Sequence, residues 1–452
     1  MQQEKTDKRI YILNEEKPAK AVISLGVPLI AGMFIMVLYN LVDTYFIGLM
    51  HDDYKLAAVN LAYPIMMISA AVSNIVGSGA SSLIARRLGA QDTKMAEHTL
   101  TVSFLLTAIN SAAVTTAGLV FLQRIIRMLG AKQNTLAYTA DYTRIILIGS
   151  LFTIGSLTVG ALLRSEGSVK LSVAGMITGT VANIILDPLF IFVFDMGVSG
   201  AAAATVIGNA LSLAVSLFFY LKGRTILRPR LNYIRPTRDI VKDIYFVGLP
   251  ASLETLLTSG AYIVNNNLAV SYGELTVTAV GVAQKIMTLG NYIYQGFASG
   301  TQPLMGYNFG AGNYKRMLSV LRAGVIVVSL TELVVMAVYG IFAPYLIGAF
   351  SNTGEVITLG AKVLRTIMFV LPFAGATSMC RMSFQAMGKP GSAFIITLIR
   401  QGFLYVPLLL LLDRLLGFNG MIWAQPITEV IMMCFSVALL SRTIISYQRK
   451  NK

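Results

Sequence analysis

Long apolar runs alternate with short polar connections along the whole chain. The runs lie at approximately 21–49, 56–85, 97–122, 136–163, 170–194, 197–221, 241–271, 276–307, 316–347, 357–386, 393–416 and 419–445. Each can cross the roughly 30 Å hydrocarbon core as a helix, which needs about 20 apolar residues. Barrel strands are excluded because they are only about 9–11 residues long. The pattern therefore predicts an all-α polytopic membrane protein with twelve transmembrane helices.

One long polar connection divides the twelve runs six and six. It reads KGRTILRPRLNYIRPTRD at 222–239 and contains two prolines among many basic residues. The expected organisation is a cytoplasmic N-terminal segment at 1–20, an N-lobe at 21–222, a cytoplasmic basic linker at 223–240, a C-lobe at 241–445 and a cytoplasmic tail at 446–452.

The two six-helix halves resemble each other. LIARRLGAQDTK at 83–94 aligns with LMGYNFGAGNYK at 304–315, and GVP at 26–28 aligns with GLP at 248–250. Six spans per half give both copies the same orientation, which is a parallel duplication. We therefore expect two lobes related by internal duplication, with a central cleft between them and a transport function by alternating access.

Composition and charge support a membrane location and exclude nucleic acid as a partner. Charged residues are 13% of the chain, against about 25% in soluble domains. The net charge of +15 comes from Lys and Arg in the tails and in alternate loops, as the positive-inside rule requires of cytoplasmic segments. We therefore expect a multi-pass protein of the bacterial cytoplasmic (inner) membrane, with the lipid bilayer around it and both termini in the cytoplasm.

Motifs for catalysis are missing from the sequence. MGKP at 387–390 lacks the glycine pattern of a phosphate-binding loop, and His51 and His98 form no metal motif. We therefore expect a protein that is not an enzyme, has no cofactor, and draws on an ion gradient for any uphill transport.

An acid interrupts the first span, VLYNLVDTYFIG at 37–48. Asp43 has no basic residue within a helical turn, and burying it in a membrane costs about 2.5–3.5 kcal/mol on insertion scales. Tyr39 and Asn40 lie one turn earlier on about the same face. A structural hydrogen bond between helices is the alternative, but intramembrane carboxylates generally mark ion or substrate paths. Asp43 is thus a candidate for cation or proton coupling.

A second acid ends the fifth span in NIILDP at 183–188. Asn183 and Asp187 are four residues apart and project from one helical face. Pro188 removes a backbone donor and frees a carbonyl. A simple kink is the alternative. An acid, an amide and a loosened backbone predict a cation or proton site.

The second half has no acid at the position of Asp43, where it reads VNNN at 264–267, including Asn265. Its spans contain other charged candidates, which are Glu254, Glu332, Glu429, Lys285 and Arg400. Internal ion pairs, such as Glu429 with Arg400, are the alternative to a functional role. In the first half, Met33 and Met36 share the span of Asp43, and flexible thioethers suit a cavity for varied cationic guests.

These features together resemble the MATE (multidrug and toxic compound extrusion) transporters, in the bacterial branch of MepA-like and DinF-like exporters. The resemblance covers essentially the whole chain. It is most specific at the Asp43 span, at NIILDP, at the GLP followed by Glu254, and at the paired Gly-Ala loops.

The resemblance implies twelve helices in two lobes and antiport of drugs against H⁺ or Na⁺. The cation site of DinF-like members falls on Asp43, Asp187, Asn183 and Thr205, with Tyr142 nearby, and a Na⁺ ion would be held by the first four. Glu254 matches the acid that family members carry in the seventh span. Together with the residues singled out above, the expected substrate cavity includes Tyr39, Asn40, Met33, Met36, Tyr142, Glu254 and Asn265. One departure is that the tenth span has no carboxylate, which disfavours the sodium site that NorM-type members have in the C-lobe.

The sequence thus predicts a monomeric antiporter, coupled to H⁺ or Na⁺, that exports amphipathic organic cations. The alternatives are a lipid-linked precursor flippase and an exporter of one natural product on the same fold. A flippase is disfavoured because such proteins line the cleft with arginine, and here only Arg400 is deeply placed in the spans.

Overall fold

The computed structural model of the protein describes the backbone of residues 2–50 and 52–450, and the side chains there except at 2–7, 40, 44, 48, 53, 256, 448 and 450. Helices account for every regular element in this described part of the chain. They are α1 (Gln2–Asn14), α2 (Pro18–Gly48), α3 (Asp53–Gly89), α4 (Thr93–Val120), α5 (Leu122–Met128), α6 (Gln133–Ile148), α7 (Ser150–Ser165), α8 (Val169–Pro188), α9 (Gly197–Leu221), α10 (Arg238–Val270), α11 (Glu274–Gly310), α12 (Tyr314–Gly348), α13 (Gly354–Ile367), α14 (Val370–Ala386), α15 (Pro390–Thr397), α16 (Val406–Leu416) and α17 (Phe418–Lys450).

Three irregular helical segments interrupt this series. A 3₁₀ turn lies at Leu231–Tyr233 in the basic linker. Wider π-helical turns lie at Leu189–Val193, directly after α8, and at Leu398–Tyr405, between α15 and α16. π-Turns are rare and occur often at functional sites. The side chains around these two segments are therefore candidates for a functional role.

These helices provide twelve membrane spans. Eight spans are long and apolar enough by themselves, and the pairs α6–α7 and α13–α14 each form one more, bent by 50° and 41°. Helices α10 and α11 contain more polar residues, but their 33 and 37 residues exceed the length of a span. The prediction of an all-α polytopic protein with twelve transmembrane helices is confirmed for the described residues.

The chain forms two compact units. Unit 1 comprises Met1–Tyr11 and Ala31–Ser252, and unit 2 comprises Ile12–Ile30 and Leu253–Lys452. In unit 1, one buried apolar cluster joins helices α3, α4 and α7 and includes Leu83, Leu100 and Leu162. A second cluster joins α3, α6 and α9 and includes Ile65 and Tyr142. These two clusters hold the helices that carry the polar residues of the first half.

A buried carboxyl group closes the turn between α7 and α8, outside the membrane-spanning segments. Glu166 is fully buried, and its Oε2 accepts hydrogen bonds from the backbone N–H groups of Ile226 and Leu227, at 3.1 and 2.9 Å. Burial raises the pKa of Glu166 to about 7, and the opposing effects of these hydrogen bonds and of the Arg9 charge are smaller. Glu166 thus ties the start of the basic linker to the end of α7.

We expect Glu166 to lower the stability of the protein as the pH rises from about 4.5 to about 7. In this range the folded protein keeps a proton that the unfolded chain loses, so stability falls with increasing pH. Glu166→Gln still accepts both hydrogen bonds and should flatten this part of the pH profile of the unfolding midpoint in detergent. The exposed Glu355→Gln is the control and should keep the wild-type slope. An equally steep profile in Glu166→Gln would contradict the assignment.

Candidate functional site

Three helices of unit 1 bring polar side chains together inside the protein. Asp43 lies on α2, Asn183 and Asp187 lie on α8, and Thr205 lies on α9. Asp187 is 0%, Asn183 3% and Thr205 6% exposed, so these three side chains face protein rather than lipid. The hydroxyl groups of Tyr39 and Thr205 are 3.5 Å apart, which joins the first span to α9.

A close approach of α8 and α9 makes this arrangement possible. A Cβ atom on Gly179 would lie 2.5 Å from the carbonyl oxygen of Gly208, and a Cβ on Gly208 would lie 3.0 Å from the Cβ of Asn183. Only glycine permits the two backbones to come this near. The glycine pair therefore places Thr205 beside Asn183, and sequence reasoning missed it because each glycine lies in an ordinary apolar run.

The amide of Asn183 links the two helices. With its amide oriented to satisfy both ends, its nitrogen donates a hydrogen bond to Asp187 Oδ2 at 3.0 Å, and its oxygen accepts one from the backbone N–H of Thr205 at 3.0 Å. Asn183 thus fixes the position of Asp187 relative to α9. The predicted shared face of Asn183 and Asp187 is present, with Pro188 at the end of α8 and a π-helical turn after it.

The carboxyl groups of Asp43 and Asp187 are within hydrogen-bonding distance of each other. Asp43 Oδ1 is buried and has no hydrogen-bond partner among the described residues. Two adjacent carboxylates repel each other unless a proton is shared or a cation lies between them. Carboxylate, amide and hydroxyl oxygens are also the ligands that hard cations prefer. The arrangement can therefore hold a proton or a small hard cation.

The remaining candidates of the first half lie on α6 and α2. Tyr142 on α6 is buried, at 2% exposure, and lies close enough to Asp43 and Asp187 to feel their charges. Met33 and Met36 lie half-buried on α2. The side chain of Asn40 lies outside the described residues. The predicted roles of all four in substrate binding stay predictions.

The acids of the second half occupy different environments. Glu254 on α10 forms an ion pair with Arg381 on α14, and Glu429 on α17 forms one with Arg400, with 2.6 Å between Glu429 Oε1 and Arg400 Nη2. The suggested alternative of a Glu429–Arg400 ion pair is thus what the structure contains. Glu332 on α12 is fully buried. Because Glu254 and Glu429 are each paired with an arginine, neither repeats the carboxyl contact of the first half.

A polar cavity of about 330 Å³ lies within unit 2. Its walls include Asn265 from α10, Gln284 and Lys285 from α11, and Tyr405 from the π-helical turn. Gln284 Nε2 donates to Asn265 Oδ1 at 3.2 Å, and Asn265 Nδ2 donates to the hydroxyl of Tyr405 at 2.8 Å. Sequence analysis named Asn265 and Lys285 but missed Gln284 and Tyr405. Gln284 could have been found from the sequence, because polar residues lower the hydropathy of α11.

Comparison with known proteins identifies the family. The family model described as MatE matches residues 28–189 and again residues 250–411. The chain belongs to the MatE family. The starts of the two matches, residues 28 and 250, are 222 positions apart, so the internal duplication predicted from the aligned Gly-Ala loops corresponds to two copies of the MatE unit.

Individual MatE relatives extend over nearly the whole chain. The chain is 28% identical over 434 residues to the multidrug export protein MepA of Staphylococcus saprophyticus, covering 96% of this chain and 95% of that protein. It is 27% identical to MepA of Staphylococcus aureus, with the same coverage. A solved structure, described as the outward-facing conformation of a multidrug resistance MATE family transporter, matches with a TM-score of 0.93 at 28% identity, covering 98% of this chain and 99% of that one. The predicted resemblance to the family is confirmed.

The two MatE copies differ in their charge. A shift of 222 positions, the distance between GVP at 26–28 and GLP at 248–250, pairs Asp43 with Asn265, so a neutral amide stands in the second copy where the first has an acid. Where Asp43 contacts an acid in the first copy, Asn265 in the second copy donates a hydrogen bond to the hydroxyl of Tyr405. The duplicated frame carries an acid pair in one copy and a neutral polar pair in the other.

Proposed function

We propose that this protein is an antiporter that exports amphipathic, mainly cationic organic compounds in exchange for H⁺ or Na⁺. One observation carries the proposal, which is the contact between the carboxyl groups of Asp43 and Asp187, with a buried Asp43 oxygen that has no hydrogen-bond partner among the described residues. Such a pair changes its net charge when it takes up a proton or a cation, and a transporter needs a group of this kind to couple two fluxes.

The site supports a simple exchange mechanism. With both carboxylates charged, the pair attracts a cationic guest across the weakly polar interior of the protein. Entry of one H⁺ or Na⁺ from the opposite side lowers the charge of the pair from two negative charges to one, so the attraction is weakened and the guest leaves. Thr205 provides a hydroxyl oxygen for a Na⁺ ion in addition to the two acids, and Asn183 would add its amide oxygen by turning its amide, whose nitrogen faces Asp187. Tyr39, Tyr142, Met33 and Met36 are proposed to contact the guest.

Relatives support export of drugs rather than catalysis. Two of them are named multidrug export proteins, and the matched structure is described as a multidrug resistance transporter. We place the protein in the bacterial cytoplasmic membrane as a multi-pass monomer, with both termini in the cytoplasm, because the basic residues concentrate in the tails and alternate loops.

Dye counterflow in proteoliposomes tests the proposal when the pH and Na⁺ gradients are imposed separately. We expect tetramethylrhodamine methyl ester, a lipophilic cation, to move uphill under one of the two gradients and to stop when that gradient is collapsed by an ionophore. Empty liposomes under the same gradients are the control. Equal dye movement with and without both gradients would refute ion coupling, and binding of lipid pyrophosphates in place of the dye would favour a flippase.

A further inference from the structure

The polar cavity of unit 2 has a charge opposite to that of the acid pair in unit 1. Lys285 is the one charged residue among the described residues that line it. It is the twelfth of the 37 residues of α11, so it lies about 16 Å along a helix about 55 Å long, within its first third. A lysine at this depth is tolerated where it faces a polar cavity instead of lipid.

Two acids of the second half, Glu254 and Glu429, do not neutralise the charge of Lys285. Glu254 is paired with Arg381 and Glu429 with Arg400, and neither acid lines the cavity. No ion pair joins Lys285 to a carboxylate within the part of the chain that the structure describes. The cavity therefore presents a net positive charge to any guest that enters it.

Hydrogen bonds in the cavity wall also favour an anion. Gln284 donates to the oxygen of Asn265, and Asn265 donates to the oxygen of Tyr405. Because the Tyr405 oxygen accepts this bond, its own O–H is left to donate to another group. Gln401 and Gln425 add further amide N–H groups to the lining. An ammonium group in the same lining as the Tyr405 hydroxyl and these amide groups suits the two oxygens of a carboxylate.

We propose that this cavity is a second binding site, which receives the carboxylate of an amphipathic guest on Lys285 and the Tyr405 hydroxyl. Its volume of about 330 Å³ lies at the lower end of the range for small-molecule sites, roughly 300–1,000 Å³. The inference rests on the proposed function, because it extends the range of exported compounds to those that carry an anionic group.

A pair of dyes that differ by one methyl group tests the proposal. Tetramethylrhodamine has a free carboxylate, and its methyl ester has the same cationic ring system without that charge. Binding of each dye to the full-length protein in lipid nanodiscs is measured by fluorescence anisotropy. We expect Lys285→Met to weaken binding of the free acid about tenfold, the effect of losing about 1.4 kcal/mol from a charge-assisted hydrogen bond, and to change ester binding less than about twofold.

Further variants separate the effect of charge in the cavity from the effect of side-chain shape. Lys285→Arg keeps the charge and should restore binding of the free acid. Gln401→Glu keeps Lys285 but adds a negative charge to the lining, and it should repeat the selective loss. Lys362→Met removes a lysine of α13 that does not line the cavity and should leave both affinities unchanged. Equal weakening of the two dyes by Lys285→Met, or no weakening, would overturn the proposal.

The experiment distinguishes this proposal from the proposed antiport. Ion coupling is tested by driven uphill transport of the ester, whereas the cavity is tested by the ratio of the two affinities at equilibrium. Loss of coupling without a change in that ratio would refute the antiport alone. An unchanged ratio in Lys285→Met, with coupling intact, would refute the anion site alone.

Discussion

Asp43→Asn is expected to abolish gradient-driven efflux while the protein remains folded. Asparagine has nearly the same volume as aspartate. It takes up no proton, however, and has no negative charge to hold a cation. Hydrogen bonds to charged groups contribute about 1.5–3 kcal/mol, so the affinity for the coupling ion should fall about 10- to 100-fold. Asp187→Asn should have a similar effect because the two carboxyl groups are adjacent. The measurement is the initial rate of dye counterflow under the effective gradient.

The matched control for this prediction is another aspartate of unit 1. Asp141 lies on α6, is 53% exposed, and is 3.6 Å from Arg144. Asp141→Asn should keep the wild-type rate, because an exposed pair of this kind contributes at most about 1 kcal/mol to stability. Size-exclusion profiles must show equal amounts of monodisperse protein for all variants. Uphill efflux by Asp43→Asn at the wild-type rate would remove Asp43 from the coupling site.

Among the proposed variants, Arg400→Met is expected to cause the largest loss of protein stability. Arg400 Nε and Nη2 both donate to Glu429 Oε1, at 2.7 and 2.6 Å, and Glu429 is 2% exposed. Removing one partner of a buried ion pair leaves the other charge uncompensated and costs about 3–5 kcal/mol. The measurement is the temperature at which half of the detergent-solubilised protein is still monodisperse after heating.

A double variant separates the effect of the ion pair from the effect of leaving one charged partner alone. Arg400→Met combined with Glu429→Gln removes both charges and should recover most of the lost stability, because apolar or neutral replacements of a buried ion pair are often tolerated. The exposed pair of Arg144 and Asp141 is the control, and Arg144→Met should change the midpoint little. A double variant as unstable as Arg400→Met would show that Arg400 acts by packing and not by its charge.

Several features of the candidate site could be predicted from the sequence. Asp43 and Asp187 were recognisable because a carboxylate is costly in an apolar run and therefore rare there. The four-residue spacing of Asn183 and Asp187 on one helix was enough to place both on one face. The contact between Asp43 and Asp187 was not predictable from spacing, since the two residues lie on different helices far apart in the chain.

The second half shows where prediction from the sequence ended. Glu254, Glu332 and Glu429 were equivalent as isolated acids in apolar runs. The structure gives Glu254 a partner in Arg381, gives Glu429 a partner in Arg400, and buries Glu332 fully. Hydropathy records how polar each position is but not which helix packs against it, so it could not distinguish these three environments.

The sequence by itself determined the class of the molecule, the spans and their duplication, because lipid tolerates only long apolar helices and both copies repeat the same turn residues. Tertiary structure decided which polar groups meet. The glycine contact of α8 and α9 brings Thr205 to Asn183, the packing of α2 brings Asp43 to Asp187, and the π-helical turn brings Tyr405 to Asn265. Each of these depends on how close two helices approach, which is a property of packed surfaces and not of a single run of residues.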